Sequence, residues 1–185
     1  MRIISGSLKG RRIRFPKNIR PTQNKVRKAI FDCLGDFVKG SIFLELFAGS
    51  GAVGIEAFSY GAKEVSFVEK DSLCLRLIES NLKLLGIESY RLYRKDSMDY
   101  LDFLSKKRLR FDIIFLDPPY LKDLAKNSLL RLSVCDIVAT QGVVVLEHHK
   151  REELPREAVG NGRDRSLLLF KQKRYGDTVL SFYKK

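Results

Sequence analysis

One stretch of the chain, SIFLELFAGSGAVGIEA at residues 41–57, limits the possible folds more than any other. It opens with a short apolar run that is typical of a buried parallel strand. Gly49, Gly51 and Gly54 follow in the spacing G-x-G-x-x-G, and apolar residues then recur as on one face of a helix. A strand, a glycine turn and a helix in this order are typical of the start of a nucleotide-binding βαβ unit.

An acidic residue, Glu69, ends the next strand-like segment at residues 64–69. It follows the glycines by about 20 residues, where a carboxylate can accept hydrogen bonds from both hydroxyls of an adenosine ribose. The glycines would allow a tight turn, a close approach of the backbone to a ligand, and packing of the helix on its strand. The alternative interpretation is that they only form a loop.

The rest of the chain continues the alternation of strands and helices. Strand-like segments that alternate with helical ones lie at residues 41–46, 64–69, 91–95, 111–116 and 142–147. Two more, at 167–175 and 178–183, flank the hairpin signal Gly176-Asp177. We therefore expect an α/β fold with a seven-stranded, mostly parallel, doubly wound sheet and a C-terminal antiparallel hairpin. The loop at residues 160–164 is predicted to be mobile.

Composition narrows the class of protein. The chain has 185 residues, 44% hydrophobic and 31% charged, which suits a globular domain with a sizeable core. No apolar run approaches the roughly 18 residues of a membrane span, and the N-terminus lacks the apolar segment of a secretory signal. Three scattered cysteines and the adjacent His148 and His149 do not form a metal-binding pattern. We expect a cytoplasmic, monomeric protein with reduced thiols and no metal.

Positive charge is concentrated at the start of the chain. Residues 1–40 carry 11 Lys/Arg and 2 Asp/Glu, whereas residues 41–120 carry 11 and 12. We therefore divide the chain into a basic N-terminal arm, residues 1–40, formed by a small hairpin and a helix from about Lys25 to Leu34, and a domain of residues 41–185. Such an arm is expected to bind a polyanion, although it could instead only aid solubility. Its candidate residues for binding a polyanion are Arg2, Lys9, Arg11, Arg12, Arg14, Lys17, Arg20, Lys25, Arg27 and Lys28, with Arg27 also a candidate for supporting the fold.

A second motif, Asp-Pro-Pro-Tyr at residues 117–120, directly follows the fourth strand-like segment. Ligands of open α/β sheets bind outside the carboxyl ends of the strands, so this motif and the glycine turn are expected to line one crevice. Asp117 and the carbonyl of Pro118 offer two acceptors, and Tyr120 offers an aromatic face. This combination suits a planar base with an exocyclic amine; the alternative is a rigid turn with a helix-capping aspartate.

Together these motifs resemble class I S-adenosylmethionine-dependent methyltransferases that act on exocyclic amines. The segments RIISGSLKGRR (2–12) and RPTQNKVRKAIF (20–31) are similar to the RsmD family, which methylates N2 of one guanine in bacterial 16S ribosomal RNA. The resemblance covers nearly the whole chain up to Glu147 and is loose beyond it. Lys25 stands where the family often has Arg, and Glu45 where it often has Asp, which leaves contact geometry open.

The resemblance implies a Rossmann-like methyltransferase fold, a role for S-adenosylmethionine, and ribosomal RNA within the small subunit as partner. It implies that Asp117, Pro118 and Tyr120 form the catalytic motif. The cofactor-binding residues that it implies are Glu45, Phe47, Ala48, Gly49, Gly51, Glu69, Asp96 and Ser97.

Three other functions share some of these residues. An adenine-N6 methyltransferase acting on RNA or DNA would use the same Asp-Pro-Pro-Tyr motif. A nicotinamide dehydrogenase would use the glycines and Glu69 but would have no role for that motif beside a basic arm. A non-catalytic RNA-binding protein would bind RNA without the cofactor.

Overall fold

The computed structural model describes residues 1–16, 22–160 and 166–185. They form two compact units, Met1–Asp96 and Ser97–Lys185, which are described in turn. Lys17 and Arg20 lie outside the described residues, as does all but Gly160 of the loop that was predicted to be mobile.

The first unit begins with the basic arm. Its two extended segments pair antiparallel at a single bridge between Arg2 and Arg12, with Ile3 and Ile13 buried beside it. The predicted hairpin is therefore one bridge with flanking backbone hydrogen bonds, without regular strands. Helix α1 (Asn24–Leu34) follows, as the spacing of its apolar residues predicted, and a short 3₁₀ helix spans Gly35–Val38.

Three parallel strands form the sheet of the first unit, in the order β3-β2-β1: β1 (Ile42–Leu46), β2 (Glu64–Glu69) and β3 (Tyr90–Arg94). Helix α2 (Ala52–Ser59) links β1 to β2, and α3 (Ser72–Leu85) links β2 to β3. The side chain of Asp71 accepts hydrogen bonds from the first turn of α3, and Gly86 ends the helix in the left-handed conformation. The carboxyl ends of β1 and β2 thus lie side by side, where the glycine turn begins.

The second unit contains α4 (Ser97–Lys106), β4 (Phe111–Leu116), α5 (Leu124–Cys135), β5 (Val138–His149), β6 (Glu157–Ala158), β7 (Leu167–Tyr175) and β8 (Thr178–Lys184). Its strands lie in the order β4-β5-β8-β7-β6. The pair β4–β5 is parallel, and the remaining pairs are antiparallel. Strand β8 pairs His149 with Thr178, so the β7–β8 turn lies at the carboxyl end of β5.

The structure confirms the predicted α/β fold with its parallel strands and C-terminal hairpin. All seven predicted strands are present among the described residues, and the two-residue strand β6 is an addition that the sequence pattern was too short to indicate. Strand β5 begins at Val138 and not at the predicted residue 142. The prediction missed its first four residues because polar residues there interrupt the apolar run. Among the described residues, no helix is both long and apolar enough to span a membrane.

Candidate active site

The glycine turn between β1 and α2 is built as the spacing predicted. Gly49 and Gly51 have φ values of 52° and 68°, in the left-handed region that favours glycine. A Cβ atom on Gly54 would lie 2.4 Å from Cε1 of Phe67 in β2, and one on Gly51 would lie 2.8 Å from Cγ1 of Ile78. Two of the glycines are thus required by the close packing of the turn and α2 on neighbouring elements.

Glu45 supports this turn from inside the fold. Its side chain lies in β1 at 3% exposure, and its Oε2 accepts a hydrogen bond from the backbone N–H of Gly54 at 2.8 Å. Burial raises the pKa of Glu45 to about 8, and the nearby carboxylate of Glu69 acts in the same direction. The carboxyl group therefore caps the first turn of α2, and its predicted contact with a cofactor stays a prediction.

Glu69 joins the end of β2 to the glycine turn. Its Oε2 accepts the N–H of Gly49 at 2.8 Å, and its Oε1 accepts the N–H of Asp71 at 2.9 Å. A carboxylate offers about four acceptor positions, so each oxygen keeps one for a further donor. The side chain is half-buried, which leaves it within reach of a ligand in the turn.

The other predicted cofactor residues follow the ends of strands. Half-buried Phe47 has a φ of 56°, a left-handed conformation that is uncommon for a non-glycine residue, and Ala48 donates to the carbonyl of Val68 at 3.0 Å. Asp96, half-buried, follows β3 and ends the first unit. Ser97 is buried as the first residue of α4.

In the second unit, β4 runs directly into the Asp-Pro-Pro-Tyr motif. Asp117 is half-buried, Pro118 is buried and Pro119 is exposed. A proline at residue 119 has no N–H and fixes its own φ, while it restricts the conformation of Pro118. The motif thus presents a carboxylate and a restrained carbonyl at the carboxyl end of β4.

The hydroxyl of Tyr120 lies in a polar cluster that sequence reasoning missed. It donates to Oε1 of Glu147 at 3.0 Å and lies 3.1 Å from Oγ1 of Thr178. The ring lies 5.9 Å from that of His149, at an angle of 53°. Burial and the neighbouring Glu147 raise the pKa of Tyr120 well above its usual value, so the phenol stays protonated. The only sequence signal for this cluster was Glu147, the acidic residue that ends the apolar run of β5.

The basic residues of the arm separate into two groups. Those with exposed side chains are Arg2, Lys9, Arg11, Arg12, Arg14, Lys25 and Lys28. Arg27 instead is 0% exposed: its guanidinium donates to the carbonyl of Arg2 and the side chain of Asn24, and lies 3.9 Å from Oε2 of Glu56. The complete burial of Arg27 argues against a contact with RNA and agrees with the alternative that it supports the fold.

Two helices of the first unit hold the arm in place. Oε1 of Glu56, in α2, accepts the N–H groups of Ile4 and Ser5, both at 2.9 Å. In α3, the buried side chain of Asn81 accepts the N–H of Arg14 at 2.8 Å and donates to its carbonyl at 2.9 Å. Because these bonds are made to the backbone of the arm, they fix its course independently of the side chains that the arm carries.

The chain is similar to known proteins over nearly its whole length. Residues 1–184 match the family described as Conserved hypothetical protein 95. YlbH of Bacillus subtilis, a candidate rRNA methyltransferase, is 38% identical over 188 residues, covering 100% of this chain and 99% of YlbH. Ribosomal RNA small subunit methyltransferase D of Buchnera aphidicola is 34% identical over 154 residues, covering 82% of this chain and 80% of that protein.

A solved structure of yhhF, a candidate methyltransferase from Escherichia coli, superimposes with a TM-score of 0.86 at 27% identity, covering 100% of this chain and 97% of yhhF. These matches extend through both units and confirm the resemblance found in the motifs. The chain belongs to the family described as Conserved hypothetical protein 95, the RsmD family of small-subunit ribosomal RNA methyltransferases.

Proposed function

We propose that this chain transfers a methyl group from S-adenosylmethionine to the exocyclic N2 of one guanine in 16S ribosomal RNA, within a largely assembled small subunit. The observation that carries the proposal is the Asp-Pro-Pro-Tyr motif at the carboxyl end of β4, in a chain that matches the family from residue 1 to 184. Family membership supports ribosomal RNA as the substrate, and the motif supports an exocyclic amine as the group that is methylated.

The glycine turn and Glu69 fit S-adenosylmethionine. Each oxygen of Glu69 accepts one backbone N–H and keeps an acceptor position, which matches the two hydroxyls of the cofactor's ribose. By the family resemblance, Gly49 and Gly51 would hold the methionine and ribose part of the cofactor, with Phe47 and Ala48 beside them in the chain. Asp96 and Ser97 would hold the adenine. Glu45 acts on the same site by holding the turn through Gly54.

The cofactor supplies a methyl group on a sulfonium, which is a strong electrophile without further activation. Guanine N2 is a poor nucleophile, because its lone pair is delocalised into the ring. We assign to Asp117 and the Pro118 carbonyl the task of accepting the two N2 hydrogens, which favours a more tetrahedral nitrogen. Methylated N2 then carries a surplus proton, and the Asp117 carboxylate accepts it. Catalysis of this kind consists mainly of orientation and electrostatics.

The target base must leave its stack before N2 can reach these acceptors. We assign to the ring of Tyr120 the surface that receives the unstacked base. The exposed cations of the arm, including Arg2, Arg11 and Arg12, bind phosphates of the surrounding RNA and orient the subunit.

The test is transfer of labelled methyl groups to small subunits from cells that lack the enzyme, followed by mass mapping of the modified nucleotide. We expect one N2-methylguanine and one methyl group per subunit. Label on an adenine would favour the adenine-N6 alternative, and RNA binding without any transfer would favour a non-catalytic protein.

A further inference from the structure

The hydroxyl of Tyr120 has two buried partners on two different strands. Glu147, in β5, is 4% exposed, and Thr178, at the start of β8, is 3% exposed. The three side chains form a short polar chain, with distances of 3.0 Å and 3.1 Å from the phenol oxygen to Oε1 of Glu147 and Oγ1 of Thr178. Neither partner belongs to the Asp-Pro-Pro-Tyr motif.

The direction of the hydrogen bonds follows from the number of protons. Tyr120 has one hydroxyl proton, which it donates to the Glu147 carboxyl oxygen. The bond between the two hydroxyls must then run from Thr178 to Tyr120, with the phenol oxygen as acceptor. A phenol that both donates and accepts is restrained in position and in rotation of its O–H bond. Because both partners are buried, water competes weakly for these bonds.

Thr178 is itself held against the end of β5. The backbone N–H of Lys150 donates to the carbonyl of Asp177 at 2.8 Å, and the Lys150 ammonium lies 2.7 Å from the Asp177 carboxylate. Thr178 and His149 are partners in the antiparallel pairing of β5 with β8. The start of β8 therefore supplies a fixed hydroxyl to Tyr120, the residue that ends the Asp-Pro-Pro-Tyr motif.

We propose that Glu147 and Thr178 are positioning residues that fix the Tyr120 ring in the orientation needed to receive the unstacked base. The inference rests on the proposed function, because Tyr120 has a base to receive only if the chain methylates one. It adds a role for the C-terminal hairpin, which lies in the part of the chain where the motif resemblance was loose.

The competing explanation is that these three groups only satisfy one another's hydrogen bonds. Ser181 provides a matched control, because it is a buried hydroxyl on the same strand with partners of its own. Its Oγ lies 2.8 Å from Nε2 of His148 and accepts from the side chain of Gln172 at 2.8 Å. Ser181 therefore stabilises the same hairpin through side chains other than Tyr120.

The experiment is a double-mutant cycle on the single-turnover rate of methyl transfer to small subunits. Tyr120→Phe and Thr178→Val each remove one hydroxyl with little change in shape, and each should lower the rate about 10-fold. The double variant should be no more than about 2-fold slower than either single variant, because both changes release the same ring. The value of kcat/KM should fall because kcat falls, while KM changes little, since the arm still binds the RNA.

Conservative variants separate positioning from folding. Thr178→Ser keeps the hydroxyl and Glu147→Gln keeps an acceptor oxygen, so both should retain a rate near that of the wild type. Glu147→Ala should behave like Tyr120→Phe and show the same non-additivity with it. Ser181→Ala should lower the melting temperature, but its effect on rate should multiply with that of Tyr120→Phe.

Multiplicative effects of Tyr120→Phe and Thr178→Val would overturn the inference and leave the proposed function intact, provided that the wild type methylates subunits. Wild-type rates in Glu147→Ala or Thr178→Val would do the same. Absence of methyl transfer by the wild type would instead overturn the proposed function, and the inference with it.

Discussion

The backbone N–H of Gly49 donates to the carboxylate of Glu69 at 2.8 Å, so the end of β2 and the glycine turn are directly joined. One side chain thereby restrains the turn and offers acceptors to a ligand. Removing the whole side chain of Glu69 affects both the restraint of the turn and the acceptors for a ligand. A comparison of alanine and glutamine at this position separates the two effects.

Glu69→Ala should weaken binding of S-adenosylhomocysteine by about 1.5–3 kcal/mol, because two charge-assisted hydrogen bonds to the ribose are lost. Glu69→Gln keeps an acceptor for Gly49 but offers less to the two hydroxyls, so it should weaken binding by a smaller amount. Titration calorimetry measures both. Unchanged affinity in a folded Glu69→Ala variant would remove Glu69 from the cofactor site.

Asp117→Ala should lower kcat by about 10²–10³, which is the usual effect of losing one oriented polar group in an active site. Affinity for S-adenosylhomocysteine should change much less, because that site is assigned to the glycine turn and Glu69. Single-turnover methyl transfer and calorimetry on the same preparation provide the two values. Normal turnover by the variant would contradict the role of the Asp-Pro-Pro-Tyr motif.

The exposed pair Arg11 and Arg12 should contribute to RNA affinity through phosphates. Replacing both with alanine should weaken binding at moderate salt and reduce the log–log salt slope by about 0.7–0.9 for each phosphate that the variant no longer neutralises. Lys106→Ala with Lys107→Ala is the matched control, because it also removes two adjacent exposed cations. These residues lie outside the arm, at the end of α4 and before the amino end of β4, so the salt slope should stay near that of the wild type. Equal salt dependence of wild type and the Arg11/Arg12 variant would show that the arm does not touch RNA.

Arg27→Ala should destabilise the fold and leave no separate effect on RNA. It removes the cation 3.9 Å from the buried carboxylate of Glu56 and the donor to the carbonyl of Arg2. Breaking a buried ion pair by removing one partner costs about 3–5 kcal/mol of the free energy of unfolding, whereas exposed pairs contribute about 0–1 kcal/mol. Lys28→Ala, which breaks the exposed pair with Asp32, is therefore the control in denaturant unfolding. Similar losses in the two variants would contradict the assignment.

The buried carboxyl of Glu45 should make stability depend on pH. Because burial raises its pKa from 4.5 to about 8, the folded protein holds this proton more tightly than the unfolded chain. The contribution of the protonated Glu45 carboxyl to the free energy of unfolding is complete below pH 4.5 and is lost as the pH rises towards 8. Glu45→Gln keeps an oxygen for the N–H of Gly54 and cannot ionise. Its unfolding free energy relative to wild type should therefore rise across this window; a constant difference would show that Glu45 titrates normally.

Local patterns were sufficient to predict most of the fold. The apolar run before Gly49 and the acidic residue at its distance from the glycines predicted β1, the turn and β2, because these features depend on neighbouring residues in the chain. The signal Gly176-Asp177 likewise predicted the β7–β8 hairpin.

Features that depend on distant residues were not predictable in the same way. Arg27 and Lys28 are adjacent basic residues of one helix, yet only Arg27 is buried, because Glu56 and the carbonyl of Arg2 lie beside it. Thr178 bonds to a residue that precedes it by 58 positions, and nothing in the local pattern marks it. Such partners become visible only when the strands are assembled.

The close fit of the arm on α2 has a consequence for the thermodynamics of the RNA association that we propose for the arm. A Cβ atom on Gly6 would lie 1.9 Å from the carbonyl oxygen of Ser59, so the backbone here is seated directly against the helix. With Glu56 and Asn81 holding the segments on either side, the backbone bearing Arg2, Arg11 and Arg12 is ordered before RNA arrives. Association then needs no coupled folding of these residues, and its heat-capacity change should be correspondingly small.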